Sequence, residues 1–319
     1  MVEYKVFAEG MVKDIREHFS PGYADVECAV VEQRKNNGQV CVGISFRKPG
    51  QPVSPIIYME PFYEKVRCGE PLEGIVQEIV RSAEESMETG IPDCYSHIGE
   101  YDRVKGYLGV RLVNTKANRL ELARIPHREL EDLSLIPVIR FPLPDADGYG
   151  STKVTEEIRK GWGIGAEQLF EQALENEEHP RMHVLGEFIS DMDDSSQELF
   201  QMEDEPFRIT EESMFILTNE RKVDGAAVIA FPGVMEKLDE LFPEGFFVVP
   251  SSIHETIIMP KGRGEEISPK QMGTMVRDIN RTYMEKTEIL SDRIYEYDKE
   301  SGKIRQVPES MKKERGIDR

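Results

Sequence analysis

The sequence predicts an α+β fold of antiparallel or mixed sheets with interspersed helices, divided into two sub-domains. Three observations carry this. Hairpin signals sit between alternating apolar runs, and helical apolar periods fall between the strands rather than in strict turn with them. The chain is 319 residues long, about two domains' worth at roughly 150 residues each. Its 39% hydrophobic and 31% charged content is that of a globular protein with a sizeable core.

Asp25 to Arg34 alternates, with Val26, Cys28 and Val30 on one face, and Val40, Val42, Ile44 and Phe46 alternate in turn. Asn36-Asn37-Gly38 between the two runs is a hairpin signal, because Asn and Gly tolerate the left-handed conformation a tight turn needs. Lys48-Pro49-Gly50 closes the second strand, and Ile56 to Met59 reads as a third. Pro71 to Met87 reads as a helix, with Leu72, Ile75, Val76, Ile79, Ala83 and Met87 on one face and Pro71 in its first turn. Tyr107 to Asn114 and Leu135 to Phe141 read as strands, and Pro142 to Gly148 as a loop between the halves.

Two helices follow, Val154 to Trp162 and Ala166 to Glu178, joined by Gly161-Trp-Gly-Ile-Gly165. That run is not a dinucleotide loop, since it follows a helix and its spacing is wrong. Met214 to Thr218, Ala226 to Ala230, Phe246 to Val249 and Thr256 to Met259 read as strands, and Pro232 to Phe242 as a helix. Ser268-Pro269 caps another helix whose expected inner face is Met272, Met275, Val276, Ile279 and Tyr283. Ile294 to Tyr297 is the expected final strand, with a frayed basic tail from Lys299. The expected segments are an N-terminal α+β domain over 1–148, a helical acidic segment over 149–213, a β-β-α-β-β-α-β domain over 214–298 and the tail over 299–319.

The net charge of −20 argues against a nucleic-acid binder, because neutralising phosphates takes Lys and Arg. The N-terminus carries no secretory signal pattern, and the longest apolar stretch falls short of the ~20 residues of a membrane span. The expected setting is the cytoplasm, with no cofactor and no membrane partner. Cys28 and Cys41 face each other across the predicted hairpin, so a cross-strand bridge is one reading and reduced thiols the other.

The charge is concentrated. Gly165 to Ser213 holds 15 acids and two bases, most of the −20 in under a sixth of the chain. Phe188, Met192, Leu199, Phe200, Met202 and Phe207 are interleaved with the acids. One reading is a solvated helical face. The other is a surface for a basic protein partner, with Glu187, Asp191, Asp193, Asp194, Glu198, Glu203, Asp204 and Glu205 as its residues. In its extreme form that surface imitates DNA, which carries one charge per about 1.7 Å.

Catalytic candidates are weaker. Ser251, Ser252, His254 and Glu255 lie together between two predicted strands and offer a nucleophile, a base and an orienting carboxylate, the makings of a hydrolase-like site. Yet Ser252 and His254 share a strand face that Glu255 leaves, and no nucleophile elbow surrounds them. The alternative is a turn whose hydroxyls cap the backbone. His179 and His183 have the spacing for zinc on one helix face, but Pro180 interrupts the helix. Asp191 to Ser196 begins like a calcium loop and fails at its sixth and twelfth positions. His127-Arg128 with Glu131-Asp132 reads as a local ion-pair cluster.

Several segments together resemble an uncharacterised domain-of-unknown-function family of anaerobic Firmicutes. They are Lys35 to Gly38, Ser54-Pro55 with Ile57-Tyr58, Pro126-His-Arg with Glu131-Asp-Leu133, Leu217-Thr-Asn219, Asn219 to Ala226, Pro250 to Glu255 and Leu290-Ser-Asp292. The second half, from the Ile136 to Arg140 strand onward, is distantly similar to the YtpQ-like family of unknown function. The resemblance implies a cytosolic protein, with an accessory role in mobile elements as its context, and brings no catalytic residues.

Overall fold

The computed structural model describes residues 2–50, 54–88, 96–142, 149–186, 196–202, 214–262 and 268–308. The fold is α+β, with antiparallel sheets. It divides into two compact units, Met1–Val104 with Arg140–Ser151, and Lys105–Ile139 with Thr152–Arg319. The chain crosses between these units at 104/105, 139/140 and 151/152. The strand after Lys105 packs on the 166–175 helix and the 225–230 turn, so it belongs to the second unit.

In the first unit, helix α1 (Val2–His18) precedes strands β1 (Glu27–Arg34), β2 (Val40–Arg47) and β3 (Ile56–Tyr58), then helices α2 (Glu60–Arg67) and α3 (Leu72–Glu88). The sheet order is β1-β2-β3. The hairpin signal is met: Asn37 and Gly38 take positive φ at the turn, and β1 pairs with β2 from Glu27↔Arg47 to Arg34↔Val40. Alternation then puts Cys28, Val42, Ile44 and Phe46 on the core face. Ala8, Met11 and Ile15 of α1 and Ile75, Val76, Ile79, Val80, Ala83 and Met87 of α3 complete that core.

The sequence reading leaves α1 and α2 unassigned. In α1 the fully buried stripe is only three residues wide, with Gly10 inside it, so its periodicity is faint. In α2 no residue is fully buried. Cys28 pairs across to Phe46 and Cys41 to Gln33, five register positions apart, about 16 Å along the ladder. A disulfide cannot span that, and both thiols are free.

In the second unit, β4 (Leu108–Asn114) pairs antiparallel with β6 (Leu133–Pro142). The connection holds the one-turn helix α4 (Arg119–Leu122) and strand β5 (Arg128–Leu130), while β7 (Tyr149–Lys153), which also pairs with β6, begins within the first unit, where β6 ends. Helix α5 (Glu156–Gly161) starts on Thr155, whose side chain accepts from the Ile158 amide. Helix α6 (Ala166–Glu175) lays Leu169, Phe170 and Ala173 inward on β4.

A larger antiparallel sheet follows, built from β8 (Arg181–Val184), β9 (Gln197–Glu198), β10 (Phe215–Thr218), β11 (Phe246–Val249), β12 (Thr256–Pro260), β13 (Tyr295–Asp298) and β14 (Lys303–Gln306). Its order is β14-β13-β11-β12-β10-β8-β9. Period-2 alternation splits its residues between two faces. Phe242, which ends helix α7 (Val234–Leu241), packs on Phe215 and Phe246. Val249 and Ile294 receive Met272 from helix α8 (Pro269–Tyr283), with Phe247 and Ile257 packed around them.

Three expectations are corrected. Ala226 to Ala230 is no strand but part of a 3-10 turn, Gly225–Ala230, buried from Gly225 to Ile229. Ile294 to Tyr297 is not the final strand, because β14 pairs back on β13 within the supposed frayed tail. The inner face of α8 is narrower than its apolar arc. Met272 is buried and Val276 partly so, but Met275, Ile279 and Tyr283 are exposed. The inward position is instead filled by buried Asn280, which donates to Ser291 O and Asp292 Oδ1. Those bonds fix the roll of the helix.

Truncating a core residue separates core from surface in the first unit. Ile44→Ala, at a fully buried position, is expected to cost about 2–5 kcal/mol in urea unfolding. Val6→Ala, on the outer face of α1, should stay within about 0.5 kcal/mol.

Candidate functional site

The Pro250–Glu255 turn lies between β11 and β12 and is tied to two other segments by backbone bonds. Leu290 N donates to Ser251 O at 2.8 Å, Ser291 N to Pro250 O at 3.0 Å and Ile253 N to Glu288 O at 2.9 Å. On its other side Ala226 N donates to Ile253 O, and Thr218 Oγ1 donates to His254 O at 2.7 Å. Gly225 makes this approach workable. A Cβ there would lie 2.0 Å from Thr218 Oγ1 and 2.4 Å from His254 O.

The 219–225 loop is shaped by its own residues. Asn219 Nδ2 donates to Val223 O and its Oδ1 accepts from Val223 N, while Lys222 and Asp224 take positive φ. Asp224 is 1% exposed. Its carboxylate receives Arg111 of β4 in a two-pronged pair, Nε to Oδ1 at 2.6 Å and Nη2 to Oδ2 at 2.9 Å. A buried carboxylate in this position would be costly without that guanidinium.

His254 joins the loop to the turn. Its Nδ1 accepts from the Asp224 backbone N–H at 3.3 Å, and its Nε2 lies 3.7 Å from Glu288 Oε1. A backbone N–H can only donate, so Nδ1 bears the lone pair, and neutral His254 carries its proton on Nε2. Ser252 is 1% exposed, and its Oγ accepts from the His254 amide. The same hydroxyl faces Glu255, whose carboxyl is pushed up from the usual range chiefly by burial. The Ser252 hydroxyl opposes that shift and the Glu288 carboxylate adds to it. Ser251 contributes its backbone, and it is half-buried.

The four catalytic candidates therefore come together, with an arrangement that fastens the backbone. The Nδ1 lone pair is occupied, and the Ser252 hydroxyl serves its own turn. Arg111 and Glu288 belong to the cluster and escape sequence reading, while Thr218, Asp224 and Gly225 lie in segments that carried the resemblance without a role assigned to them. The Asp-Gly at 224–225 is the one local signal of a special backbone there.

A second polar group lies beside it. The buried Tyr295 hydroxyl bonds Asp132 Oδ1 and lies 2.8 Å from Ser291 Oγ, while Asn114 Nδ2 donates to Leu290 O. Burial first, and the Asp132 carboxylate next, hold the Tyr295 phenol well above its ordinary range. Asp132 thus serves a buried bond rather than a surface ion-pair cluster. Nearby Arg128 pairs with Glu167, and His127 Nδ1 bonds Ile125 O.

The remaining candidates scatter. His179 is exposed, 3.4 Å from Glu198, and His183 is buried on β8, so they share no helix face. Among the described residues no group of three or more His, Cys, Asp or Glu could hold a metal ion. No described helix is long and apolar enough to cross a membrane. Glu187, Asp191, Asp193, Asp194, Glu203, Asp204 and Glu205 lie outside the described residues, as does the calcium-like stretch up to Ser195. Glu198 is described, half-buried on β9, and accepts from Gln201.

The cluster draws on Leu217-Thr-Asn219, Asn219 to Ala226, Pro250 to Glu255 and Leu290-Ser-Asp292, and Asp132 adjoins it. These are segments on which the resemblance to an uncharacterised family rests. The model of a family of unknown function, DUF5688, matches residues 4–299. The chain belongs to this family. The DUF5688 match spans both compact units. No curated protein and no solved structure matches the chain.

Two measurements check the site. Asp224→Ala takes the carboxylate away from Arg111 and is expected to cost about 3–5 kcal/mol in chemical unfolding, with Arg111→Ala adding less in the double variant than alone. Glu255 has a raised pKa, so its ionised form weakens the folded state, and its stabilising contribution is present at low pH and lost as pH rises. Glu255→Gln should therefore raise stability at pH 7, and the gain should vanish near pH 4.

Proposed function

We infer that the chain is a binding or regulatory protein that presents an acidic surface to a basic protein partner. The observation that carries this is the outer face of α6. Glu167, Glu171 and Glu175 recur every four residues, opposite the buried Leu169, Phe170 and Ala173, and all three are exposed. Arg128 reaches the first of them. The acid-rich sequence continues through residue 213. Such a field draws in cationic partners within about a Debye length, some 8 Å at physiological salt.

Some carboxylates of the stretch have structural duties, which narrows the surface. Glu177 Oε1 accepts from Val110 N, Glu178 pairs with Arg221 and Glu198 with His179. On this reading the partner meets the outer face of α6 and the acids beyond it, in a cytosolic setting, without direct nucleic-acid contact. A role as an accessory or anti-defence protein of a mobile element draws its support from the resemblance to the Firmicutes family.

Charge reversal tests the reading. Lysines at Glu167, Glu171 and Glu175, or at Glu203, Asp204 and Glu205, should strip co-purifying basic proteins from the chain, as should raising salt from 50 to 500 mM. Full retention of every partner by both triple variants overturns it.

A further inference from the structure

We propose that His254 is a proton-operated latch: neutral, it holds the Asp224 amide of the 219–225 loop on the 250–255 turn, and protonated, it releases that amide. This goes beyond the acidic-surface reading and is independent of it.

The argument starts from one hydrogen bond. The Asp224 amide donates to His254 Nδ1 at 3.3 Å. That contact exists only while Nδ1 keeps its lone pair. Protonation makes both ring nitrogens donors. An N–H would then face an N–H, and the bond becomes a repulsion.

The charged groups around the ring decide where it goes next. Glu288, from the 285–290 segment, lies 3.7 Å from Nε2. Glu255, on the same turn, is electrostatically coupled to His254 as well as to Glu288. Asp224, on the loop, has its carboxylate paired by Arg111 of β4. The imidazolium is therefore drawn toward the glutamates, while at Nδ1 it meets a backbone donor. The side chain is 29% exposed, so a proton reaches it from solvent without opening the core.

The release is local. The Arg111–Asp224 pair, the Thr218 Oγ1 bond to His254 O and the Ala226 N bond to Ile253 O involve no titrating imidazole atom. They keep both ends of the loop in place while the Asp224 amide loses its acceptor. Asp224 sits at φ 56°, a conformation that surrounding bonds must hold in a non-glycine residue. Losing one of them lets this peptide move.

The test is residue-resolved amide hydrogen exchange by NMR on the full chain, corrected for the intrinsic pH dependence of exchange, between about pH 8 and 5, where histidine titrates. Protection at Asp224 should fall about tenfold as the imidazole charges, the effect of losing one hydrogen bond. Protection of the Ala226 amide should stay constant. In His254→Gln, whose amide oxygen does not titrate, Asp224 protection should be flat. Glu288→Gln keeps the imidazole and should move the midpoint of the drop to lower pH, which tests the latch even if His254→Gln fails to fold. Constant Asp224 protection in the wild type, an equal fall in His254→Gln, or an unmoved midpoint in Glu288→Gln overturns the proposal.

Discussion

The Arg111–Asp224 pair is the interaction on which the second unit's polar centre depends. Asp224 is almost fully buried and in a left-handed backbone conformation, two conditions that each cost free energy. The bidentate guanidinium offsets the first, because it meets both carboxylate oxygens. A buried ion pair adds little net stability against an apolar replacement, but it is intolerant of losing one partner. What it supplies is placement. With Asp224 held, its amide points at His254 and Gly225 is brought against Thr218 and the His254 carbonyl. The loop, the turn and the strand β4 then have one arrangement that satisfies all of them.

The same logic extends to the Tyr295 group. Asp132 and Asn114 come from the β4–β6 ladder and its connection, and both bond to the 290–295 segment of the larger sheet. The Pro250 and Ser251 carbonyls bond that segment too. Each contact is a directional bond from a buried or half-buried group, so the two sheets of this unit are registered by polar geometry as well as by apolar packing. Asn280 does similar duty for α8. Its buried amide decides which side of an apolar helix faces in and leaves Met275, Ile279 and Tyr283 outward.

Charge shows how far composition misleads about surface. The stretch from Gly165 to Ser213 is overwhelmingly acidic in sequence. In the fold its described acids divide between roles. Glu177 closes a backbone amide of β4, and Glu178 meets an arginine, while Glu171 and Glu175 remain on the outer face of α6. A carboxylate bound to an amide or a guanidinium contributes far less field to solvent than one held out on a helix.

The sequence by itself determined the fold class, the β1–β2 hairpin with its Asn-Gly turn, the buried face of α3 and most strands of the larger sheet. These rest on local rules, alternation, helical period and turn chemistry, which a window of ten or so residues contains. It also placed Ser252, His254 and Glu255 side by side. Only the tertiary structure decided what they do, because the His254 partners Asp224, Glu288 and Thr218 stand 30 to 36 residues away along the chain, and Arg111, which holds Asp224, stands 113 residues from it. The strand β14 and the roll of α8 turn on nearer partners: β14 pairs with β13 in a hairpin, and Asn280 bonds residues 11 and 12 further on. Which group satisfies a buried amide such as that of Asn280 once water has left is a choice the helical period does not encode.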